Sequence, residues 1–252
     1  MNNDKSLTFE VVPQYIAYLD ILGYEAKMKE FGGAEKLIQS IYSSIEQAKY
    51  IIRETTQKES IDNIRFRVFS DNIIFSSKEN WQVLVAIAAL TQANSARKGI
   101  FIRGTLCYDE LCMDDEFVFG KGIISANKIE KEIVIFPRII LHQSFMNAVN
   151  NYGKRIEPNN IFELIGAATP NFVDMDEYCV LDYLSATSAL LHPNKDIMID
   201  FIKDHKNAIK SNLQRQSSDR VLQKFQWLKR YHNRYISETL KIEGVNLSEY
   251  LI

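Results

Sequence analysis

Two aspartates stand inside short apolar runs: Asp20 in Tyr18-Leu19-Asp20-Ile21-Leu22-Gly23-Tyr24, and Asp71 in Val68-Phe69-Ser70-Asp71-Asn72-Ile73-Ile74-Phe75. A carboxylate in such surroundings is costly to bury alone, and a divalent cation held by oxygen donors is the commonest compensation that uses two of them at once. A turn-capping role competes for Asp71, because Ser-Asp-Asn closes Asx turns on its own backbone. Asp20 precedes Ile-Leu-Gly and has no turn of its own, which leaves the metal-binding role as its better explanation.

The elements that must carry these acids follow from residue type and period. Tyr15 to Leu22 is rich in β-branched and aromatic residues and ends at Gly23, whereas the Asp71 segment reads as two strands joined at Ser-Asp-Asn. Both acids therefore sit where strands run out. Between them, Ala34 to Thr55 places Leu37, Ile38, Ile41, Tyr42, Ile45, Ala48 and Ile52 on one helical face. Trp81 to Arg97 repeats the pattern with Leu84, Ile87, Ala88 and Thr91, and Gly99 ends it as a C-terminal glycine should. Ile100 to Cys107 and Phe117 to Phe119 are strand candidates, Gly122 to Ile133 a short helix, and Ile135 to Leu141 another strand. This order predicts an α/β core of the ferredoxin-like, βαββαβ type over residues 1–184. From Ser185 onward the pattern is helical, around Ala189 to Leu213 and Ser218 to Lys241. That predicts a helical extension over residues 185–252, packed on the core with no Pro- or Gly-rich linker.

Composition excludes several classes. The 252 residues carry 30 Lys and Arg against 32 Asp and Glu, a formal net charge of −2. With basic residues spread along the chain, no nucleic-acid-binding surface is expected. Cys107, Cys112 and Cys179 have no CxxC spacing and accompany four scattered histidines, so buried thiols are expected in place of a disulfide framework or a zinc site. The polar start and the shortness of the longest apolar stretch, Val83 to Leu90, predict no signal peptide and no membrane span, hence a cytoplasmic protein. Phe225, Trp227 and Tyr231 fall at helical spacing and are assigned to packing, with His232 capping or packing beside them.

Further along stand Ile102-Arg103-Gly104, the run from Gly120 to Glu130, Pro137-Arg138-Ile139-Ile140, and Lys224-Phe225-Gln226-Trp227-Leu228 followed by Tyr231-His232-Asn233. With the two aspartate segments, and in this order, they resemble the class III nucleotidyl cyclases, and within them the small bacterial pyrimidine cyclases of the Pycsar antiphage systems. The resemblance spans most of the chain. It implies cyclisation of UTP or CTP to cUMP or cCMP with loss of diphosphate, assisted by two Mg²⁺ or Mn²⁺ ions held between paired aspartates. Asp20 and Asp71 fall on the metal positions, with the Ile21 carbonyl as an additional oxygen.

Other positions follow from the same resemblance. Arg103 aligns with an arginine that contacts the triphosphate, where a guanidinium fork matches phosphate oxygens; a surface ion pair is the competing role. Arg67 stands where purine cyclases carry a base-recognising lysine, and Phe117 where they carry a second base-selecting residue. A solvated strand face is the alternative for Arg67. Lys128 takes the place of the superfamily's catalytic arginine and Ile124 that of its asparagine; Lys128 brings positive charge, Ile124 brings no hydrogen bond, and Asn127 is the neighbour able to substitute. The Gly120-Lys121-Gly122 opening resembles a phosphate-cradling helix start, for which a tight turn is the simpler explanation. These departures count against an adenylate or guanylate cyclase, which stays as the weaker alternative within the enzyme class, and they keep open a catalytically silent nucleotide-binding homologue. The resemblance further implies a homodimer with sites shared across its interface and a separate effector that senses the cyclic nucleotide.

Overall fold

The computed structural model describes residues 9–55, 59–114, 116–156, 171–191, 195–215, 218–242 and 244–252. The first half of the chain alternates β1 (Val12–Ile21), α1 (Tyr24–Glu30), α2 (Ala34–Thr55), the single turn α3 (Glu59–Asp62), β2 (Arg65–Phe69), β3 (Asn72–Ser77), α4 (Trp81–Arg97) and β4 (Ile102–Met113). The strands lie in the order β2-β3-β1-β4, with β1 antiparallel to both β3 and β4. That is the split βαβ arrangement of a ferredoxin-like sheet. The short strand β5 (Val118–Phe119) folds back on the end of β4, and α5 (Lys121–Ile133) follows.

Beyond β4 the sheet continues through β6 (Ile139–Leu141), parallel to β4, and then through β8 (Cys179–Leu181) and β7 (Asn171–Val173), after the helix α6 (Gln143–Ile156). The tail is helical, as its pattern predicts: α7 (Tyr183–Leu191), α8 (Lys195–Gln214) and α9 (Asp219–Arg234), followed by a π turn at Tyr235–Thr239 and a 3-10 turn at Leu247–Tyr250. The extension expected from residue 185 thus begins inside α7. Tyr183, Leu184 and Ala186 share one apolar cluster with Tyr15, Ala17, Leu19 and Ile21 of β1, so sheet and tail have a common interior.

Alternation along β1 divides the sheet into two faces. Tyr15, Ala17, Leu19 and Ile21 point to the side covered by α2, α4 and the tail helices, whereas Ile16 and Tyr18 meet Ala126 and Ile129 of α5 on the other side. α4 is buried almost all round, with every residue from Leu84 to Ala96 but Ala86 buried. α2 buries Leu37, Ile41, Ile45, Ala48 and Ile52, while Ile38 and Tyr42, expected on the same face, are exposed. The buried stripe is therefore narrower than the apolar pattern.

Two strand boundaries differ from expectation. β4 runs six residues past Cys107 because β1 starts at Val12 and pairs with Tyr108 through Leu111, which carries the polar Tyr108-Asp109-Glu110 into the ladder. β6 begins at Ile139 rather than Ile135 because Pro137 lacks an N–H and the preceding residues turn, with the Arg138 N–H donating to the Phe136 carbonyl at 2.8 Å. Cys107 and Cys112 are buried free thiols and Cys179 is partly buried; burial, with the nearby Asp109 charge, pushes the Cys107 thiol up to about 12.

Candidate active site

Register brings the two acids together. Asp20 is the penultimate residue of β1 and lies opposite Asn72 of β3 and Arg103 of β4, on the α5 side of the sheet. Asp71 sits in the β2–β3 turn, where Ser70 adopts a left-handed φ of 53° and Asn72 Nδ2 donates to Asp71 Oδ1 at 3.1 Å. The turn is fastened to the end of β1 by the Ile21 N–H, which donates to the Asp71 carbonyl at 2.9 Å. The Asp71 carboxyl thereby comes within hydrogen-bonding reach of the Asp20 carboxyl.

Asp20 is buried and its carboxyl is held above the ordinary carboxylate range. Burial is the largest cause, and the charge of Asp71 adds to it, while the hydrogen bond and charge of Arg103 oppose it. Each nitrogen of the Arg103 guanidinium has a partner: Nε donates to Asp20 Oδ2 at 2.7 Å, Nη1 to the Val134 carbonyl at 3.0 Å, and Nη2 lies 2.5 Å from Glu130 Oε1 as an ion pair. Glu130 lies on the buried side of α5 with Gly122, Ala126 and Ile129. Burial raises its carboxyl, the Arg103 charge opposes this, and the charges of Asp20 and Asp71 raise it further. Beside this cluster the Tyr18 hydroxyl accepts a hydrogen bond from Asn127 Nδ2 at 2.8 Å.

The remaining expected residues are placed differently. Arg67 shares the Asp20 face through its pairing with Ile74 and Tyr18, but its guanidinium donates to the carbonyls of Phe66, at 2.9 Å, and Asp114. Arg65 likewise reaches the Met113 carbonyl, so the two arginines tie the sheet edge to the β4–β5 connection. Phe117, in that connection, is exposed and meets Phe9 edge-on at 5.6 Å between ring centres. Ile124 and Lys128 are exposed on α5, a helical face away from Glu130. Within one chain the structure thus gathers Asp20, Ile21, Asp71 and Arg103, and leaves Arg67, Phe117 and Lys128 outside that cluster.

The Gly120-Lys121-Gly122 opening of α5 serves close packing. A Cβ on Gly120 would come within 2.5 Å of the Glu110 carbonyl oxygen, and one on Gly122 within 2.4 Å of Ile16 Cδ1. The glycines let the helix lie directly on β4 and β1.

Two charged residues near the acids have no role in the sequence reading. For Glu130 the available signal is an acid on the apolar stripe Gly122, Ala126, Ile129 of α5. Lys224 of α9 is half-buried and feels the charges of Arg103, Asp20 and Glu130. With Leu22, Gly23, Phe101 and Phe225 it lines a pocket of about 300 Å³ that opens beside the end of β1.

As a cation site the carboxylate pair has a definite chemistry. Its donors are hard oxygens, suited to Mg²⁺ or Mn²⁺ and not to thiolate-loving metals. Among the described residues no group of three or more His, Cys, Asp or Glu side chains converges as a metal site. Two carboxylates do suffice for an ion of the Mg²⁺ type that completes its shell with water and substrate phosphates.

No protein-family model and no curated protein matches this chain. Among solved structures, that of a bacterial light-regulated adenylyl cyclase aligns at a TM-score of 0.41 and 11% identity, over 56% of this chain and 46% of that one. The match therefore spans less than half of that protein, and a likeness this loose carries no argument about activity. No helix among the described residues is long and apolar enough to cross a membrane.

Proposed function

We propose that this chain is a nucleotidyl cyclase that converts UTP or CTP to cUMP or cCMP and diphosphate, as the second-messenger synthase of an antiphage defence. The reading rests above all on the side-by-side carboxyls of Asp20 and Asp71 at neighbouring strand ends, with Asp20 buried beside an arginine and a second acid. In this reaction the ribose 3′-oxygen attacks the α-phosphorus and loses its proton to water. The bond from that phosphorus to the bridging oxygen breaks, and diphosphate leaves with the electron pair. Mg²⁺ or Mn²⁺, when bound, would lower the cost of the negative charge on the attacking oxygen and the phosphates.

The chain's own groups supply placement. Asp20 and Asp71 hold the cation face of the site, and Arg103 fixes the rotamer of Asp20 through the 2.7 Å bond. The Ile21 carbonyl is assigned as an additional oxygen. Lys128, Arg67 and Phe117 lie outside the cluster of their own chain, and in the homodimer we propose they belong to the half-site facing the partner's acids. Exposed Phe117, Phe119 and Ile124 give that face the apolar surface an interface needs. A separate effector would read the product.

A second reading, a silent nucleotide-binding homologue, is favoured by one observation: the Arg103 fork is spent on Asp20, Val134 and Glu130. Cyclic product from the wild type discriminates the two, and Asp71→Ala then tests the metal assignment of the first. The substitution vacates a partly exposed turn position, so the fold should survive by circular dichroism, while cyclic nucleotide formation with Mn²⁺ should fall by a factor on the order of 100 or more. Undiminished turnover would sink the metal assignment.

A further inference from the structure

The pocket beside the end of β1 is lined on one side by Leu22, Gly23, Ala26 and Phe101, and on the other by Val221, Lys224 and Phe225 of α9. Its two sides are fastened together. On the first side the Leu22 N–H donates to the Phe101 carbonyl at 2.9 Å, and across the pocket the Phe101 ring meets Phe225 edge-on at 5.4 Å. Lys224 is therefore carried on a packed helix, next to the Phe225 that meets Phe101, and not on a flexible loop.

Three cations line this pocket, and they differ in what they face. Lys27 and Arg215 both pair with Glu30, at 2.9 and 2.8 Å. Lys224 has no carboxylate of the described residues within ion-pairing distance; it faces Asp20 and Glu130 from farther off, with Arg103 and the exposed Arg220, one helical turn earlier, adding like charge. A half-buried ammonium beside two guanidinium groups is stabilised by an incoming anion, and a polyphosphate is the anion whose other end a metal on Asp20 and Asp71 would hold.

We infer that Lys224, delivered by the C-terminal helix α9, is the cation that binds the polyphosphate of the substrate, the role that Arg103 cannot fill while its fork is engaged by Asp20, Val134 and Glu130. This inference rests on the nucleotidyl cyclase reading of the same site. It makes the tail part of the catalytic unit, because α9 brings a cation for the phosphates to the pocket beside the metal ligands.

The test separates the inference from the reading beneath it. Inorganic tripolyphosphate with Mn²⁺, which carries no base or ribose, is titrated into the full-length protein by calorimetry, with Asp71→Asn, Lys224→Gln and Lys224→Arg alongside. The wild type should bind, Asp71→Asn should lose binding, Lys224→Gln should weaken it on the order of tenfold or more, and Lys224→Arg should restore most of it. Lys224→Gln keeps a polar side chain with part of the aliphatic stem at a half-buried position, so its melting temperature should stay near that of the wild type; Lys224→Ala repeats the comparison with the stem removed. Binding that depends on Asp71 but is unchanged in both Lys224→Gln and Lys224→Ala would overturn the inference and leave the cyclase reading standing. A wild type that binds no manganese tripolyphosphate would overturn both.

Discussion

At the scale of residues, the site is an arrangement of like charges held in place by one arginine. The charge of Asp71 raises the cost of ionising Asp20, the charges of Asp20 and Asp71 raise that of Glu130, and Arg103 bridges Asp20 and Glu130. Removing one member of a buried ion pair leaves the other uncompensated. Glu130→Ala should therefore cost about 2 kcal/mol of folding stability, read as a lower urea midpoint at unchanged slope, since Arg103 keeps Asp20 and the Val134 carbonyl. A midpoint equal to that of the wild type would mean that Glu130 is not part of the support. Asp20 and Asp71 were legible in the sequence because an acid within an apolar strand is rare and each lay at a strand end. Glu130 was not, because an acid two positions after an exposed lysine on a helix looks solvated until the helix is docked and its phase is known.

At the scale of elements, β1 and β4 do the positioning, and the tail completes the pocket. Gly104 allows β4 to approach, since a Cβ there would lie 2.1 Å from the Tyr18 carbonyl oxygen. The tail is locked down by a directed chain of hydrogen bonds. His232 Nε2 bonds the Tyr250 carbonyl at 2.9 Å and so must carry a proton; its Nδ1 then accepts from His205 Nδ1 at 2.9 Å, and His205 Nε2 accepts from the Tyr183 hydroxyl at 2.6 Å. Every group in this chain is satisfied with both imidazoles neutral. Burial lowers His232 from 6.5 to about 4, with the Tyr250 bond opposing and Lys206 adding, and burial holds His205 well below its ordinary value.

The sign follows from linkage. Below pH 6.5 the unfolded chain takes up a proton at position 232 that the folded chain refuses until about pH 4, so His232 makes stability fall as pH drops through that window, by about 3 kcal/mol in full. Imidazole resonances of His205 and His232 should accordingly stay unshifted through pH 6.5. A titration midpoint near 6.5 for either would contradict the buried relay. This relay was not visible beforehand: Tyr183, His205, His232 and Tyr250 are spread over nearly seventy residues, and only the packing of α7, α8 and α9 with the last turn brings them together. The strand-helix order was visible, because period and glycine punctuation are local. The shortened β6 and the lengthened β4 were not, since a partner strand decides how far a ladder runs.

At the scale of the whole molecule, one apolar interior joins the ferredoxin-like sheet to the tail helices, and the α5 side of the sheet is left comparatively bare. The acids lie at the end of the sheet, next to the pocket that α9 closes. The expected base-reading and transition-state residues, Arg67, Phe117 and Lys128, lie outside this cluster. In the homodimer we propose, a second copy would bring its own α5 face across to these acids. The sequence carried the acids and the succession of elements, but not which charged side chains would end up paired: Arg103 reads as a triphosphate ligand, with a surface ion pair as the alternative, and only the fold sets it against the buried Asp20 and Glu130.

The most direct measurement is to incubate the purified protein with ATP, GTP, CTP and UTP separately, each with Mn²⁺, and to identify products by mass spectrometry. The account predicts a 3′,5′-cyclic monophosphate and diphosphate from UTP or CTP. A cyclic product from ATP or GTP alone would contradict the pyrimidine assignment, and nucleotide binding without any cyclic product would contradict the enzyme.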